Sequence, residues 1–345
     1  MTMSEKELEQ TRREKLIREK PQVFEKIRKI EERYKQGIAT PIIDIAYNYA
    51  CNLKCQHCTA SRFQKSGRKL TPADLRRLSD EAHELGLCQF CISGGEPLIF
   101  KDLDEVISAL QPDKFHLTMS TNGYFMTPEM ARHLKAIGLD KVKISLDDFH
   151  DAKGDEATQK AITAMRNAKE AGLSVVVQTV VTRQNCQSES TLKKAKFAQE
   201  NGFAFDVLIA RATGAWEGNH EVLINEEDAE YLRKAHEQFS CLHRDTFPCY
   251  GMDRGCNCVK ASLHLTAHGD ILPCAWIHIS IGNIFSESLA DIIKRGQSIK
   301  WFKEHSRLCL SGEDRNFINK YMAKFYGKPL PLHWSEAFGE DDFVK

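Results

Sequence analysis

Short β-rich runs alternate with helical segments along this chain, and this pattern constrains the fold more than any other feature. Six apolar, β-branched runs recur between residues 41 and 210. The predicted strands are residues 41–48, 88–93, 115–120, 141–146, 174–181 and 204–210. Thr71-Pro72 and Thr127-Pro128 are typical of helix starts between them. Because six units are fewer than the eight of a closed barrel, we expect a partial (βα)6 barrel or an open α/β sheet, with its chemistry at the carboxyl edge of the strands.

The sequence outside this repeat divides into further segments. Residues 1–38 predict a charged helical segment with a thin apolar stripe, residues 39–215 the barrel, and residues 216–248 a linker helix. A second module is expected over residues 249–310, with a hairpin that turns at His268-Gly269. Residues 311–345 are expected to form a helical tail.

Composition excludes several classes of protein. The chain has 345 residues, and its 48 Lys and Arg balance its 48 Asp and Glu, so we expect no nucleic-acid partner. No apolar run approaches the ~18 residues that a membrane span needs. The first residues have no apolar core of signal-peptide type. We therefore expect a cytoplasmic protein with reduced thiols.

Three cysteines lie together directly after the first predicted strand. Cys51, Cys55 and Cys58 follow x3 and x2 spacing. Structural zinc prefers four ligands, whereas three thiolates on a four-iron cluster leave one iron free for a substrate or cofactor. The alternatives are a zinc site with a distant fourth ligand, or three ordinary buried cysteines. The position of the loop, at an edge where α/β proteins carry their chemistry, favours the cluster.

The three-cysteine motif, with His57 inside it and Gly94-Gly95-Glu96-Pro97 after the second strand, resembles the radical S-adenosylmethionine (radical SAM) superfamily. The resemblance covers about residues 40–215. It implies that Cys51, Cys55 and Cys58 bind a catalytic 4Fe-4S cluster, whose fourth iron is chelated by SAM. Reductive cleavage of SAM then yields a 5′-deoxyadenosyl radical, which abstracts hydrogen from an unactivated C–H bond.

The same resemblance assigns expected SAM contacts. Gly94 and Gly95 suit a close approach of the backbone to the ligand, and their carbonyls or the Glu96 carboxylate are expected to accept from the methionyl ammonium. Further polar residues at strand ends are candidates for the SAM ribose or carboxylate, and each is alternatively a helix cap or a turn residue. These candidates are Ser120, Asn122, Ser145, Asp147 and Gln178. Arg211 is expected to bind the SAM carboxylate or the substrate, or to lie in a surface loop.

The second module resembles the SPASM and shorter "twitch" extensions, which hold auxiliary iron–sulfur clusters. The matching residues are Cys256, Cys258, Cys274 and Cys309, with Cys249 as the alternative to Cys258 for the fourth ligand. A full SPASM module has a further cysteine-rich run, and none occurs between Cys274 and Cys309. We therefore expect one auxiliary cluster, a 4Fe-4S cluster, with an open iron if neither fourth ligand binds.

Two enzymatic functions and one other remain open at this stage. The first is oxidation or epimerisation of a small molecule of sugar or natural-product type, favoured because the first 40 residues are too short and too charged for a peptide-recognition domain. The second is modification of a ribosomally made precursor peptide, and the third is a non-catalytic metal-binding protein. Either enzyme needs a flavodoxin- or ferredoxin-type reductant. Cys88, Cys91 and Cys186 are candidate hydrogen donors to a substrate radical.

Overall fold

The computed structural model describes residues 5–63, 67–148, 155–247 and 252–344. The strands are β1 Ile42–Asn48, β2 Gln89–Gly94, β3 His116–Thr121, β4 Lys141–Ser145, β5 Ser174–Val181, β6 Ala204–Ile209, β7 Leu242–His243, β8 Ser262–Leu265, β9 Asp270–Leu272, β10 Ile279–Ser280, β11 Gly282–Asn283 and β12 Leu332–His333. The helices are α1 Glu5–Glu19, α2 Pro21–Arg28, α3 Ile30–Lys35, α4 Pro72–Glu84, α5 Leu103–Ala109, α6 Pro128–Ala136, α7 Asp155–Glu170, α8 Glu189–Asn201, α9 Glu226–Gln238, α10 Leu289–Ser298, α11 Lys300–Lys303, α12 Arg315–Lys320 and α13 Trp334–Ala337.

The main sheet has the strand order β11-β9-β8-β1-β2-β3-β4-β5-β6-β7. The six predicted strands are present, in chain order and parallel, and helices α4 to α8 connect them. This α/β arrangement confirms the predicted fold class. It also brings the carboxyl ends of β1 to β6, and the loops that follow them, to one edge of the sheet.

The second module joins the same sheet, which the sequence analysis did not predict. Strand β8 pairs in parallel with β1, with Ile43 opposite Leu263. Strand β7, which lies in the predicted linker segment, pairs in parallel with β6 at the other edge. Strand β8 covers a backbone edge of β1 that would otherwise be open. The predicted hairpin is present, since β8 and β9 are antiparallel across His268 and Gly269.

Local sequence signals explain where the helices begin. Thr71 accepts a hydrogen bond from the Asp74 backbone, and Asp74 returns one, so α4 starts with a capping box followed by Pro72. Thr127 caps α6 in the same way, without the reciprocal bond. The apolar faces of the strands and of these helices form the core, in which Ile43, Ile45 and Leu75 are fully buried.

The N-terminal helices lie at the amino end of the barrel, away from the carboxyl edge. Lys20 Nζ contacts Asp140 Oδ2 at 2.5 Å and the Gly138 carbonyl at 3.1 Å, just before β4. Lys26 Nζ donates to the Leu87 carbonyl at 3.0 Å, just before β2. This segment therefore covers the end of the barrel opposite the predicted site. Nothing in the described part of the chain is both helical and apolar over a length that would cross a membrane.

Candidate functional site

The three-cysteine loop emerges from β1 at the carboxyl edge of the sheet. Cys51 is exposed, Cys55 and Cys58 are half-buried, and these three cysteines form no disulfide. The backbone N–H of Leu53 lies 3.4 Å from Cys51 Sγ, and the N–H of Cys58 donates to the Cys55 carbonyl at 3.2 Å. The loop therefore turns back on itself and leaves its sulfurs accessible. Three accessible thiols of this kind fit a 4Fe-4S cluster that keeps one iron for SAM.

The two glycines of the Gly-Gly-Glu-Pro motif are required by the chain's own backbone. The Gly95 N–H donates to the Asn48 carbonyl at 2.7 Å. A Cβ atom on Gly95 would lie 1.8 Å from the Ala50 carbonyl oxygen, and Gly94 has a φ of +117°. The structure thus shows a close approach of Gly94 and Gly95 to the backbone of residues 48–50, at the start of the cysteine loop. The glycine carbonyls stay predicted acceptors for the methionyl ammonium.

The Glu96 carboxylate has a structural role that the sequence analysis did not predict. Its carboxylate is buried and accepts three hydrogen bonds, from the Leu98 N–H at 3.0 Å, the Thr121 hydroxyl at 2.6 Å and the Asn122 N–H at 2.8 Å. Burial raises the pKa of Glu96, and these three donors act in the opposite direction. The carboxylate therefore ties the motif to the end of β3, and its contact with the methionyl ammonium stays a prediction. Pro97 is also buried and begins a 3₁₀ turn over Pro97–Ile99.

Two of the other predicted residues, Asn122 and Asp147, contact the cysteine loop. The Asn122 side chain donates to Asn52 Oδ1 at 2.9 Å, which links the end of β3 to the loop. His57 Nε2 lies 3.4 Å from Asp147 Oδ2, just beyond β4. Ser145 lies opposite Gln178 in the β4–β5 register, and Ser120 is half-buried near the end of β3. Their contacts with SAM stay predictions.

The structure places Arg211 beside the second module and not beside the three-cysteine loop. Its guanidinium is 2% exposed and contacts Asp245 Oδ2 at 2.5 Å and Cys309 Sγ at 3.5 Å. Its Cζ lies 3.8 Å from the centre of the Trp276 ring. Burial against these partners holds the side chain in contact with a predicted auxiliary ligand. Its expected contact with the SAM carboxylate or the substrate stays a prediction.

The four predicted auxiliary cysteines lie together in the interior. Cys256, Cys258, Cys274 and Cys309 are buried free thiols. Cys256 Sγ lies 3.5 Å from Cys258 Sγ, and sulfur contacts also join Cys256 to Cys309 and Cys258 to Cys274. Hydrogen bonds from Cys258 and Cys309 lower the pKa of Cys256. The four thiols thus form one continuous group, which includes Cys258, the predicted fourth ligand. Cys249 lies outside the described residues.

The donor set decides what this group of cysteines can hold. Within the described ranges, no three His, Cys, Asp or Glu side chains are already arranged around a single metal ion. Four buried thiols from one module are nevertheless the ligand set of a 4Fe-4S cluster. The adjoining Arg211 Nε is buried and has no hydrogen-bond partner among the described residues. A buried donor without a partner is rare, and a cluster sulfide would satisfy it. The residues therefore fit one auxiliary cluster.

One loop after β6 contacts both groups of cysteines. At its start, Arg211 contacts Cys309; four residues later, the Ala215 N–H donates to the Cys58 carbonyl at 3.0 Å. A Cβ atom on Gly214 would lie 2.3 Å from the same carbonyl oxygen, so the close packing requires glycine. The Trp216 and His57 rings lie 5.9 Å apart. Both predicted cluster sites are thus joined through a single short segment.

The inner face of the barrel carries charged residues that the sequence analysis missed. Asp44 Oδ2 on β1 lies 2.8 Å from His264 Nδ1 on β8, and the carboxylate accepts a hydrogen bond when Nδ1 carries the proton. Lys143 on β4 pairs with Asp206 on β6 at 3.0 Å, across the intervening β5. The pKa of Lys143 is raised, chiefly by the Asp206 carboxylate. Charged residues in otherwise apolar strand runs were the available signal.

The three cysteines predicted as hydrogen donors lie in different parts of the structure. Cys91 faces the charged inner surface, 3.6 Å from Ser120 Oγ, and burial raises its pKa to about 12, so it stays a thiol at neutral pH. Cys88 packs in a side cluster with Ile30 and Met252. Cys186 is buried 3.8 Å from the Asp228 carbonyl. Of the three predicted hydrogen donors, Cys91 is the one placed in the barrel interior.

Comparison with known proteins agrees with this geometry. A model of the radical SAM superfamily matches residues 45–194, and a model of the SPASM iron-sulfur cluster-binding domain matches residues 256–312. Mycofactocin maturase MftC of Mycolicibacterium smegmatis is 32% identical over 164 residues, which are 46% of this chain and 42% of the maturase. PqqA peptide cyclase of Granulibacter bethesdensis is 31% identical over a segment that covers 41% of this chain and 39% of the cyclase. The chain thus spans about two fifths of the length of both relatives.

A longer match and a similar solved structure complete the comparison. AdoMet-dependent heme synthase of Nitratidesulfovibrio vulgaris is 22% identical over 74% of this chain and 78% of its own. The crystal structure of Streptococcus suis SuiB bound to S-adenosylmethionine superposes with a TM-score of 0.58 and 20% sequence identity. The match covers 78% of this chain and 69% of the SuiB chain. That likeness concerns the fold. The two matched domains imply a 4Fe-4S cluster with SAM and an auxiliary iron–sulfur cluster. The chain belongs to the radical SAM superfamily and carries a C-terminal SPASM domain.

Proposed function

We propose that this protein is a radical SAM enzyme that modifies a peptide, with one auxiliary cluster beside the radical-forming site. The single observation that carries the two-site part of the proposal is the loop after β6, which contacts Cys58 at one end and Cys309 at the other. In this proposal Cys51, Cys55 and Cys58 hold the cluster that binds SAM. Cys256, Cys258, Cys274 and Cys309 hold the auxiliary cluster.

A peptide is the preferred substrate because of the named relatives. A mycofactocin maturase and a PqqA peptide cyclase are each more than 30% identical to this chain over more than 40% of its length. The expectation of a sugar-type small molecule receives no such support. It rested on the charged residues 1–38, and their described helices cover the amino end of the barrel, where they neither form nor exclude a peptide site. Oxidation stays one of several possible outcomes, beside cyclisation and epimerisation.

The bound cluster and SAM supply a 5′-deoxyadenosyl radical that abstracts hydrogen from an unactivated C–H bond. The chain's own residues hold that bond in place and exclude water. On the inner face, the Asp44 and Asp206 carboxylates are acceptors for substrate N–H groups. Lys143, which stays charged beside Asp206, is a donor for a substrate carbonyl. Amide groups of a peptide offer both kinds of partner.

The division of the chain into a barrel over residues 39–215 and an auxiliary module over residues 249–310 is part of the same proposal. The matched ranges 45–194 and 256–312 lie close to these bounds. The reductant is proposed to be a flavodoxin- or ferredoxin-type protein.

The proposal is tested by offering the anaerobically reconstituted protein SAM, a flavodoxin reductant and a synthetic peptide encoded beside its gene. We expect 5′-deoxyadenosine to form with a matching mass change in the peptide, located by tandem mass spectrometry. Solvent deuterium in the product separates epimerisation from oxidation. The Cys55→Ala variant is the control, since it retains the barrel and lacks one cluster ligand. Deoxyadenosine formed with an unchanged peptide, together with turnover of a sugar or a tetrapyrrole, would overturn the choice of substrate.

A further inference from the structure

Arg211 is a buried cation placed directly against the proposed auxiliary ligands. Its side chain is 2% exposed, and its Nη2 lies 3.5 Å from Cys309 Sγ. An arginine guanidinium stays protonated in proteins, so this side chain carries its positive charge at every accessible pH. A permanent positive charge in a poorly solvated interior acts strongly on any neighbouring charge.

The contacts of Arg211 place one donor against Cys309 and leave another donor without a partner among the described residues. Nη1 donates to the Ile209 carbonyl, and Nη2 is shared between Asp245 and Cys309. Nε is buried with no partner among the described residues. The Trp276 ring, 3.8 Å away, supports the guanidinium plane from one side. The side chain is therefore held by contacts on several sides, with hydrogen-bond capacity that the described part of the chain does not use.

Net charge, hydrogen bonds to sulfur and solvent exposure set the potential of an iron–sulfur cluster. Adding one electron makes the cluster more negative by one unit, with no bond formed or broken. A nearby cation and N–H donors to sulfur stabilise that reduced state more than the oxidised state. Asp245, bound to the same guanidinium, acts with the opposite sign.

We propose that Arg211 is a positioning residue of the auxiliary cluster, which holds its reduction potential high through charge and N–H donation beside Cys309. The inference rests on the proposed function, because it takes Cys309 as a cluster ligand. It adds a residue that the superfamily motifs do not contain, and it gives the loop after β6 a role in setting how readily the auxiliary cluster accepts an electron.

The test measures the auxiliary cluster alone. In a background with Cys51, Cys55 and Cys58 all changed to Ala, iron analysis and anaerobic redox titration followed by electron paramagnetic resonance report only the second site. We expect Arg211→Gln to keep about four iron per chain. At the wild-type midpoint potential, its ratio of reduced to oxidised cluster should fall at least tenfold, which corresponds to ~59 mV for a one-electron couple.

The Asp245→Asn variant tests the direction of the predicted shift in reduction potential. Removal of this carboxylate leaves the Arg211 charge less compensated, so the ratio of reduced to oxidised cluster should rise at the same potential. A purely structural role for the pair would move both variants in the same direction or neither. Arg295→Gln is the matched control, because Arg295 also pairs with a carboxylate, Glu287, and has its Cζ 5.3 Å from the centre of the Trp334 ring. It should leave the potential unchanged.

The outcomes separate the inference from the function on which it rests. Unchanged potentials in both Arg211→Gln and Asp245→Asn, or shifts of the same sign, overturn the role of Arg211. If Arg211→Gln fails to retain iron, the upward shift in Asp245→Asn decides the question. A Cys309→Ala variant with full iron and an unaltered resonance spectrum would instead overturn the ligand assignment, and with it the proposed auxiliary site.

Discussion

Replacing Glu96 with Gln should destabilise the protein before any SAM is bound. The carboxylate is 1% exposed and accepts from two backbone N–H groups and one hydroxyl. An amide presents one oxygen and one NH2 group. In either orientation, one backbone N–H, that of Leu98 or that of Asn122, faces a donor and loses its acceptor. A buried donor left without a partner costs ~1–3 kcal/mol, and we expect the free energy of unfolding to fall by that amount.

The assay is urea unfolding of the cluster-free protein under anaerobic conditions, with and without the substitution. A lower midpoint at an unchanged m value reports the loss of stability. Glu105→Gln is the control, because Glu105 is exposed on α5 and its change should stay within ~0.5 kcal/mol. If Glu96→Gln unfolds at the wild-type midpoint but weakens SAM binding, the carboxylate is a SAM ligand and the argument from its three donors is wrong.

Two further changes test other parts of the structure. Cys55→Ala should abolish formation of 5′-deoxyadenosine, since two thiolates do not hold a cluster with one open iron. The control Cys186→Ala should leave the amount of 5′-deoxyadenosine unchanged. Liquid chromatography of the nucleoside measures both results. Cleavage at the wild-type rate in Cys55→Ala would remove that residue from the site. His278 is fully buried beside Phe63 and Phe325, and burial lowers its pKa to about 3. Below its ordinary value of about 6.5, the unfolded chain binds a proton that the folded chain excludes, so stability should fall by up to ~1.4 kcal/mol per pH unit. His278→Phe should remove this part of the loss in urea midpoints between pH 7 and pH 5; an identical loss in the variant would contradict the burial argument.

Features that depend on neighbouring residues could be predicted from the sequence. The strand runs, the Thr-Pro helix starts and the three-cysteine loop are local patterns, and the structure has them where they were expected. The four auxiliary cysteines were predicted from a family resemblance, and the structure brings them together. Polar residues at strand ends were also identified, because parallel strands bring their carboxyl ends to one edge.

Features that depend on distant partners could not be predicted in this way. Arg211 and Cys309 are 98 positions apart, and only the packing of the second module brings them together. Asp44 and His264 are 220 positions apart and meet because β8 joins β1. For Glu96, motif position suggested a ligand, whereas the donors at Thr121 and Asn122 turn the carboxylate inward.

Iron content tests the central claim most directly, since the account places two clusters on seven named cysteines. After anaerobic reconstitution we expect about eight iron per chain in the wild type. About four should remain when Cys51, Cys55 and Cys58 are changed to Ala, and about four when Cys256, Cys258, Cys274 and Cys309 are changed instead. A wild-type value of about four would remove the auxiliary cluster, and about twelve would require a third cluster that these residues do not provide.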